Sequence, residues 1–222
     1  MSKWGERAFL FDQYDSWFGW HFLLTKKNIQ PPELKTNYVD LGGVSGSIDL
    51  SEALTGEPAY KDRVITATFW SDDGTYDDRE QTLRSIINCI HGKRMKICEP
   101  DCPGYYFLGR VRVTSVKNTL AYAEFSIEAT CDPWRYGSSE RSCTVSVENG
   151  ELKEWKFHST FAASVCPKLT VTGDISFTYD GITSEATAGE YLVAPFKLHP
   201  GDNVITVSGS GTLTLTFREV IL

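Results

Sequence analysis

Long apolar runs are missing from this chain, and with them any segment able to cross a bilayer as a helix. The best, residues 17–24, is interrupted by Gly19 and His21 and falls far short of the roughly 18 residues a span needs. The opening Met-Ser-Lys-Trp-Gly-Glu-Arg is not followed by an apolar core and a small-residue cleavage site, so no membrane insertion is expected and folding is expected in the cytosol. Positive charge is scarce as well: 22 Lys and Arg against 29 Asp and Glu leave a formal charge of -7. That balance speaks against nucleic acid as the main partner, because phosphate binding needs a basic patch. The best basic cluster, Lys93-Arg94-x-Lys96, reads as a solvated loop answering the negative end of the helix before it.

Metal and redox patterns are absent too. The six cysteines, at 89, 98, 102, 131, 143 and 166, contain no C-x-x-C pair and no matched His or Cys at zinc spacing. Without a secretory signal they are expected as reduced, mostly buried thiols. The four histidines, at 21, 91, 158 and 199, have no acid or nucleophile at triad spacing. Gly42-Gly43-Val44-Ser45-Gly46 lacks the Lys-Ser/Thr pair and the helix of a phosphate loop, and Ser45 lacks the second glycine of a nucleophile elbow. Asp72, Asp73, Asp77 and Asp78 lack the ligand alternation of a calcium loop. The chain is therefore expected to be no enzyme and to need no metal or cofactor.

What is present falls into two parts. A length of 222 residues exceeds one domain of about 100–200 residues and fits two modest ones. The joint is Cys131-Asp132-Pro133-Trp134-Arg135-Tyr136-Gly137, giving domains 1–137 and 138–222. Five of the six Trp lie upstream. There, residues 8–11 and 17–24 flank an Asp- and Ser-containing turn and read as a hairpin. Short strands are expected at 38–41 and 47–50. Residues 63–70 put Ile65, Ala67 and Phe69 on one face at period two and predict a strand. A helix follows, with Asp78 as N-cap, Gln81 in capping-box position, and Leu83, Ile86, Ile87 and Ile90 at helical spacing. Gly92 stops it. Strands at 95–98, 105–117 and 120–130 complete an α+β arrangement of antiparallel strands with one helix.

Downstream the helical signal vanishes. Apolar stretches at 144–147, 169–171, 175–179, 191–193, 204–207 and 212–218 are separated by Gly, Asn, Asp or Pro at roughly the 8- to 12-residue rhythm of a β-sandwich. Asp180-Gly181 marks a tight hairpin. The fold class is thus mainly β, an α+β first domain plus a small C-terminal β-sandwich.

One set of signatures in the first domain remains. In order come Phe11-x3-Asp15-Ser16, the extended segment from Tyr38 to Leu50, Gly56-x3-Tyr60-Lys61-Asp62-Arg63, the strand to Phe69, one helix, Pro103-Gly104-Tyr105-Tyr106-x2-Gly109-Arg110, and Cys131-Asp132-Pro133-Trp134. This order resembles the N-terminal domain of the distal tail (Dit-like) proteins of long, flexible-tailed bacteriophages and prophages, over about residues 8 to 137. The resemblance implies a baseplate hub at the virion tail tip, assembled in the bacterial host cytoplasm as a homo-hexameric ring. Its partners would be the tail tube protein and the tail-tip or fibre protein, with DNA only passing through the channel. It also implies that the C-terminal domain is a galectin-like or carbohydrate-module-like sandwich.

Two functions from different classes follow. One is a structural adaptor without catalysis. The other is a carbohydrate-binding adaptor that contacts host-surface glycans, for which Trp155, Tyr179 and Tyr191 are the candidate stacking aromatics. The aromatic-rich N-terminus holds more rings than one face of a hairpin can bury, so Trp4, Trp17 and Trp20 are candidate interface anchors.

Overall fold

The structure, a computed structural model, describes residues 8–43, 45–193 and 196–222. Among these residues it is mainly β, with one helix, as expected. The chain divides into two compact units, one running to Arg135 and including Leu222, the other Tyr136–Ile221.

The first unit is built from β1 (Leu10–Phe11), β2 (Tyr14–Asp15), β3 (Leu23–Ile29), β4 (Tyr38–Asp40), β5 (Ser47–Asp49), β6 (Arg63–Ser71), α1 (Tyr76–Ile90), β7 (Arg94–Cys98), β8 (Tyr105–Asn118) and β9 (Ala123–Gly137). Its main sheet has the order β2-β1-β7-β8-β9-β6-β3. In β6 the alternation works as predicted: Ile65, Ala67 and Phe69 are buried and face Ala129, Ile127 and Phe125 of β9. The Phe69 and Phe125 rings stack at 4.7 Å. These residues join Leu83, Ile86 and Ile90 of α1 in one core with Phe9, Phe11, Phe22 and Phe107.

Two local expectations need correction. The helix starts three residues early, with Thr75 as N-cap: its Oγ1 accepts from the Asp78 amide, and the Asp78 carboxylate accepts from the Thr75 amide. Asp78 is the far member of the capping box, and with Asp77 it supplies the negative charge that the helix N-terminus favours. The N-terminal hairpin is also much shorter than expected. It consists of β1 and β2, with Leu10 opposite Asp15. Asp15 Oδ1 accepts from the amides of Trp17 and Phe18, at 2.7 and 2.8 Å. That turn ends the strand, and residues 23–29 pair instead with β6.

The joint is not a break in secondary structure, because β9 runs through it to Gly137. Pro133, which has no N–H to give, lies beyond the last β6 pair, Arg63 with Cys131.

The second unit contains β10 (Arg141–Ser159), β11 (Lys168–Tyr179), β12 (Ile182–Ala186), β13 (Gly189–Leu192) and β14 (Gly201–Phe217). They form one sheet, β10-β14-β11-β12, with β13 also on β11. The short strands expected at 169–171 and 175–179 are one strand, and so are those at 204–207 and 212–218. The glycines between them are kinks within strands. Gly173, Gly209 and Gly211 have φ of 80°, 114° and 148°; Gly173 pairs with Gly211 and Ile175 with Gly209. On the other side of β14 the β10 register breaks between Val147 and Glu151. The irregularities thus line up across three strands. A Cβ at Gly211 would collide with the Thr172 carbonyl oxygen, and one at Gly173 with that of Ser210.

Buried positions keep one parity across this line: Asn203, Ile205 and Val207 on one side, Leu213, Leu215 and Phe217 on the other. They therefore share a face. The sheet curls along the glycine line and encloses its own apolar face, so a two-layered core arises from a single set of hydrogen-bonded strands.

Candidate assembly surface

The chain leaves the main sheet between β3 and β6 as an arm. Its base is tied by the Leu34–Tyr60 bridge, by Lys35 N to Ala59 O at 2.7 Å and by Lys61 N to Glu33 O at 2.8 Å. The Tyr60 ring meets Trp134 of β9 edge-on at 5.2 Å. Further out, β4 and β5 pair, among the described residues, only with each other, Tyr38 opposite Asp49 and Asp40 opposite Ser47. Ser47 Oγ donates to Asp40 at 2.6 Å, and Ser51 Oγ and N donate to Asp49, holding that carboxyl below its ordinary range. All six residues of β4 and β5 are exposed. Tyr38, Leu41, Ile48 and Leu50 are each 40% exposed or more, and Leu54 is 99% exposed. A two-stranded sheet alone is marginal in water; Val39 and Ile48 are opposite each other on one of its faces and Tyr38 lies on the other.

Beneath the arm's point of departure lies a buried ionic cluster. Glu99 bonds Lys27 at 2.6 Å and Arg135 at 2.9 Å. The Arg135 and Arg63 guanidiniums lie 4.8 and 5.2 Å from the Phe107 ring centre, and Arg63 donates to the Pro133 carbonyl. Burial lowers the Arg63 pKa, and the Arg135 charge adds to that. For Lys27 burial acts downward, but its bonds to Asp101 and Glu99 outweigh it and the net shift is upward. Removing one partner would leave the others buried and uncompensated.

The outward face of the same sheet carries charge. Arg94 and Lys96 of β7 and Arg110 and Arg112 of β8 are exposed. Arg94 holds both Asp132 oxygens at 2.8 Å, and Arg112 bonds Glu128 at 2.9 Å. Arg94 and Lys96 of the cluster read as a solvated loop are therefore part of a strand, with Arg94 held by a charge-assisted bond in which its Nη2 reaches both carboxylate oxygens. Arg110 donates to the Gly92 carbonyl, and Lys96 lies over the Tyr106 ring at 4.9 Å.

Trp17 is half-buried, with its ring 6.1 Å from His21. Trp20 is buried, stacked on Phe11 and Tyr14 at 6.1 and 5.8 Å, so it packs its own core. Trp4 lies outside the described residues. Among the described aromatics of residues 9–22, Phe18 is presented to solvent, 70% exposed, set outward by the Asp15 turn that the Asp-Ser-Trp-Phe string encodes.

The three stacking candidates come from three strands, β10, β11 and β13. Tyr179 is buried and its hydroxyl donates to Asn203 at 2.7 Å; burial and then Asp180 push its pKa up to about 12. Trp155 is half-buried opposite Ile205, on the buried side of the sheet. Tyr191, on β13 beside Leu169, donates to the Thr187 carbonyl at 2.9 Å. Tyr179 is thus not an exposed platform.

Three histidines do meet acids that sequence spacing hid. His21 lies 3.2 Å from Asp73, His158 lies 2.7 Å from Asp202, and His199 Nε2 lies 2.8 Å from Asp180. Ser164 Oγ is 2.7 Å from His199 Nδ1. Ser and Asp occupy the opposite nitrogens from those of a serine-protease relay, and the three groups cross-link three separate loops. Among the described residues no cluster of three or more His, Cys, Asp or Glu is placed to hold a metal. The cysteines among them are free, but only Cys131 is fully buried, against the expectation of mostly buried thiols. Burial and Asp132 push the Cys131 pKa up to about 12.

No protein-family profile matches the chain, and no curated protein matches it by sequence. Solved structures do resemble it. The Dit protein (gp 19.1) of SPP1, described as a paradigm of the hub adsorption apparatus in phages infecting Gram-positive hosts, superposes with a TM-score of 0.70 at 15% identity, over 97% of this chain and 99% of that one. A chain from the baseplate of phage p2 in its activated conformation gives 0.48 at 8% identity, over 96% and 98%. The fold is Dit-like.

Proposed function

We propose that the chain is a structural hub of a phage tail tip, six copies forming a ring that joins the tail tube to the tail-tip or receptor-binding apparatus. In this reading the first unit builds the ring, the second serves as a spacer or docking platform, and DNA crosses only the central channel. The observation that carries the reading is the shared fold with the SPP1 hub protein over both units and nearly the full length of each chain. The ordered signatures of the first domain add support, as does a surface whose most distinctive feature is an exposed apolar arm. Ring formation uses such surfaces, since a head-to-tail contact repeated by rotation closes.

The test is the solution mass of the full-length chain by light scattering across a concentration series, with negative-stain imaging of the largest species. Six-fold rings with an open centre are the expected result. A monomer at every concentration, also in the presence of tail-tube protein, would overturn the reading.

A further inference from the structure

We propose that the small cavity at the β12 edge of the second unit binds a trimethylammonium group of the choline type, its methyls against aromatic and aliphatic walls and its charge beside Asp180. The site lies within that unit and stands apart from the ring reading.

The cavity measures about 120 Å³, well below the roughly 300–1,000 Å³ of sites for drug-sized ligands, so it takes one compact group. Three rings line it, Phe177, Tyr179 and Phe196. Phe177 and Tyr179 alternate along β11 and are buried, and Phe196 packs on both, at 5.6 and 4.9 Å between ring centres. Ile182 and Ser184 of β12 stand opposite Tyr179 and Phe177 and continue the wall towards the edge. β12 is the last strand in the order β10-β14-β11-β12. Ile182 there is 58% exposed, although it shares the face of Phe177 and Tyr179. The space is therefore reached from the sheet edge.

One charge stands at this space. Asp180 and Gly181 form the hairpin turn, both at positive φ, 48° and 75°, and the turn brings Asp180 among the lining residues. Its carboxylate is 2.8 Å from His199 Nε2, and Ser164 Oγ is 2.7 Å from Nδ1. With the Ser164 hydroxyl donating to Nδ1, the Nε2–H donates to Asp180: a neutral imidazole fixes the carboxylate and leaves its charge uncancelled. That charge is felt in the wall, since together with burial it raises the Tyr179 pKa.

This lining selects among ligands. A bare ammonium brings three N–H donors and a sugar several hydroxyls. Among the described residues, the polar side chains of the lining are Asp180, Ser184 and the Tyr179 hydroxyl, which already donates to Asn203. A trimethylammonium group has no donor to satisfy. It presents methyls to Ile182, Val193 and the rings, and its charge is stabilised by the ring quadrupoles and by the carboxylate.

The test titrates the full-length chain, methyl-labelled at Ile and Val, with choline and with its uncharged tert-butyl analogue, in which carbon replaces nitrogen. Choline should shift the NMR signals of Ile182 and Val193, and the analogue should bind about tenfold more weakly. Asp180→Asn keeps the turn, because Asn-Gly serves it equally. It should remove that preference by weakening choline about tenfold while leaving the analogue unchanged. Ser184→Leu, which fills the space, should abolish binding of both, and thermal unfolding checks the fold of each variant. Equal binding of the two ligands, no shift at Ile182 and Val193 at any choline concentration, a preference that survives Asp180→Asn, or shifts there from neutral glycans alone would each overturn the proposal. Co-sedimentation with phosphatidylcholine vesicles, lost in Asp180→Asn, would identify a bilayer headgroup as the source; choline binding without it would identify a soluble or polymer-borne one.

Discussion

In the first unit the apolar face of the sheet packs against other segments, α1 and the residues Phe9, Trp20 and Phe22 outside the strands. In the second unit the sheet covers itself by curling at Gly173, Gly209 and Gly211. The first solution spends residues on a covering layer, the second on backbone that only glycine can adopt. The difference teaches where each unit is vulnerable: one in side-chain volume, the other in a line of missing side chains. The arm has neither kind of cover, which is why its apolar residues point to a partner.

The largest effect should come from Gly211→Val, which meets the Thr172 carbonyl and a φ of 148°. It should abolish the folding transition of the second unit while leaving that of the first, as read by calorimetry. Phe69→Ala should do the converse. Deleting a fully buried ring stacked on Phe125 costs about 3–5 kcal/mol, seen as a lowered midpoint for the first unit alone.

The alkaline limb separates the units too. Tyr179 is raised from 10 to about 12, so the stability of its neutral form is complete below pH 10 and is lost as pH rises towards 12. The second unit should therefore weaken over that window, and Tyr179→Phe should flatten the loss in a pH series of denaturant midpoints. Thr75→Ala removes the N-cap and should cost the first unit about 1 kcal/mol. The same cap holds the Asp78 carboxyl below its ordinary range through bonds from Thr75; its contribution is present above the ordinary carboxylate range and fades as pH falls through the lowered value. Smallest of all, Leu54→Ser should change monomer stability by less than about 0.5 kcal/mol. A larger loss would mean the arm packs on its own chain.

Much of this was legible in the residues. Period-two burial in β6 followed from Ile65, Ala67 and Phe69, and the helix followed from Leu83, Ile86 and Ile90. The cap was missed by three positions because two acidic residues after Thr75 imitate a second start. The glycines of β11 and β14 read as turns because a positive φ serves a turn and a sheet kink alike, and only pairing across strands separates them. His199 with Asp180 and Ser164 could not be found from spacing, since the three come from separate loops. The burial of Tyr179 was equally hidden, because Asn203, which accepts its hydrogen bond, lies on another strand. In the arm, the two short strands at 38–41 and 47–50 were visible, but nothing in sequence says that no layer covers them.

The strand order β10-β14-β11 has a kinetic meaning. The central strand is made last: Arg141 waits for Phe217 and Lys168 for Thr216. As the chain emerges from the ribosome, β10 and β11 must stay unpaired along the edges that β14 will fill, and such edges are templates for aggregation. Thr144, Thr170 and Thr172, together with Lys156, keep those waiting strands polar on one side. Nascent second units are thus at greatest risk during the few seconds before β14 is released.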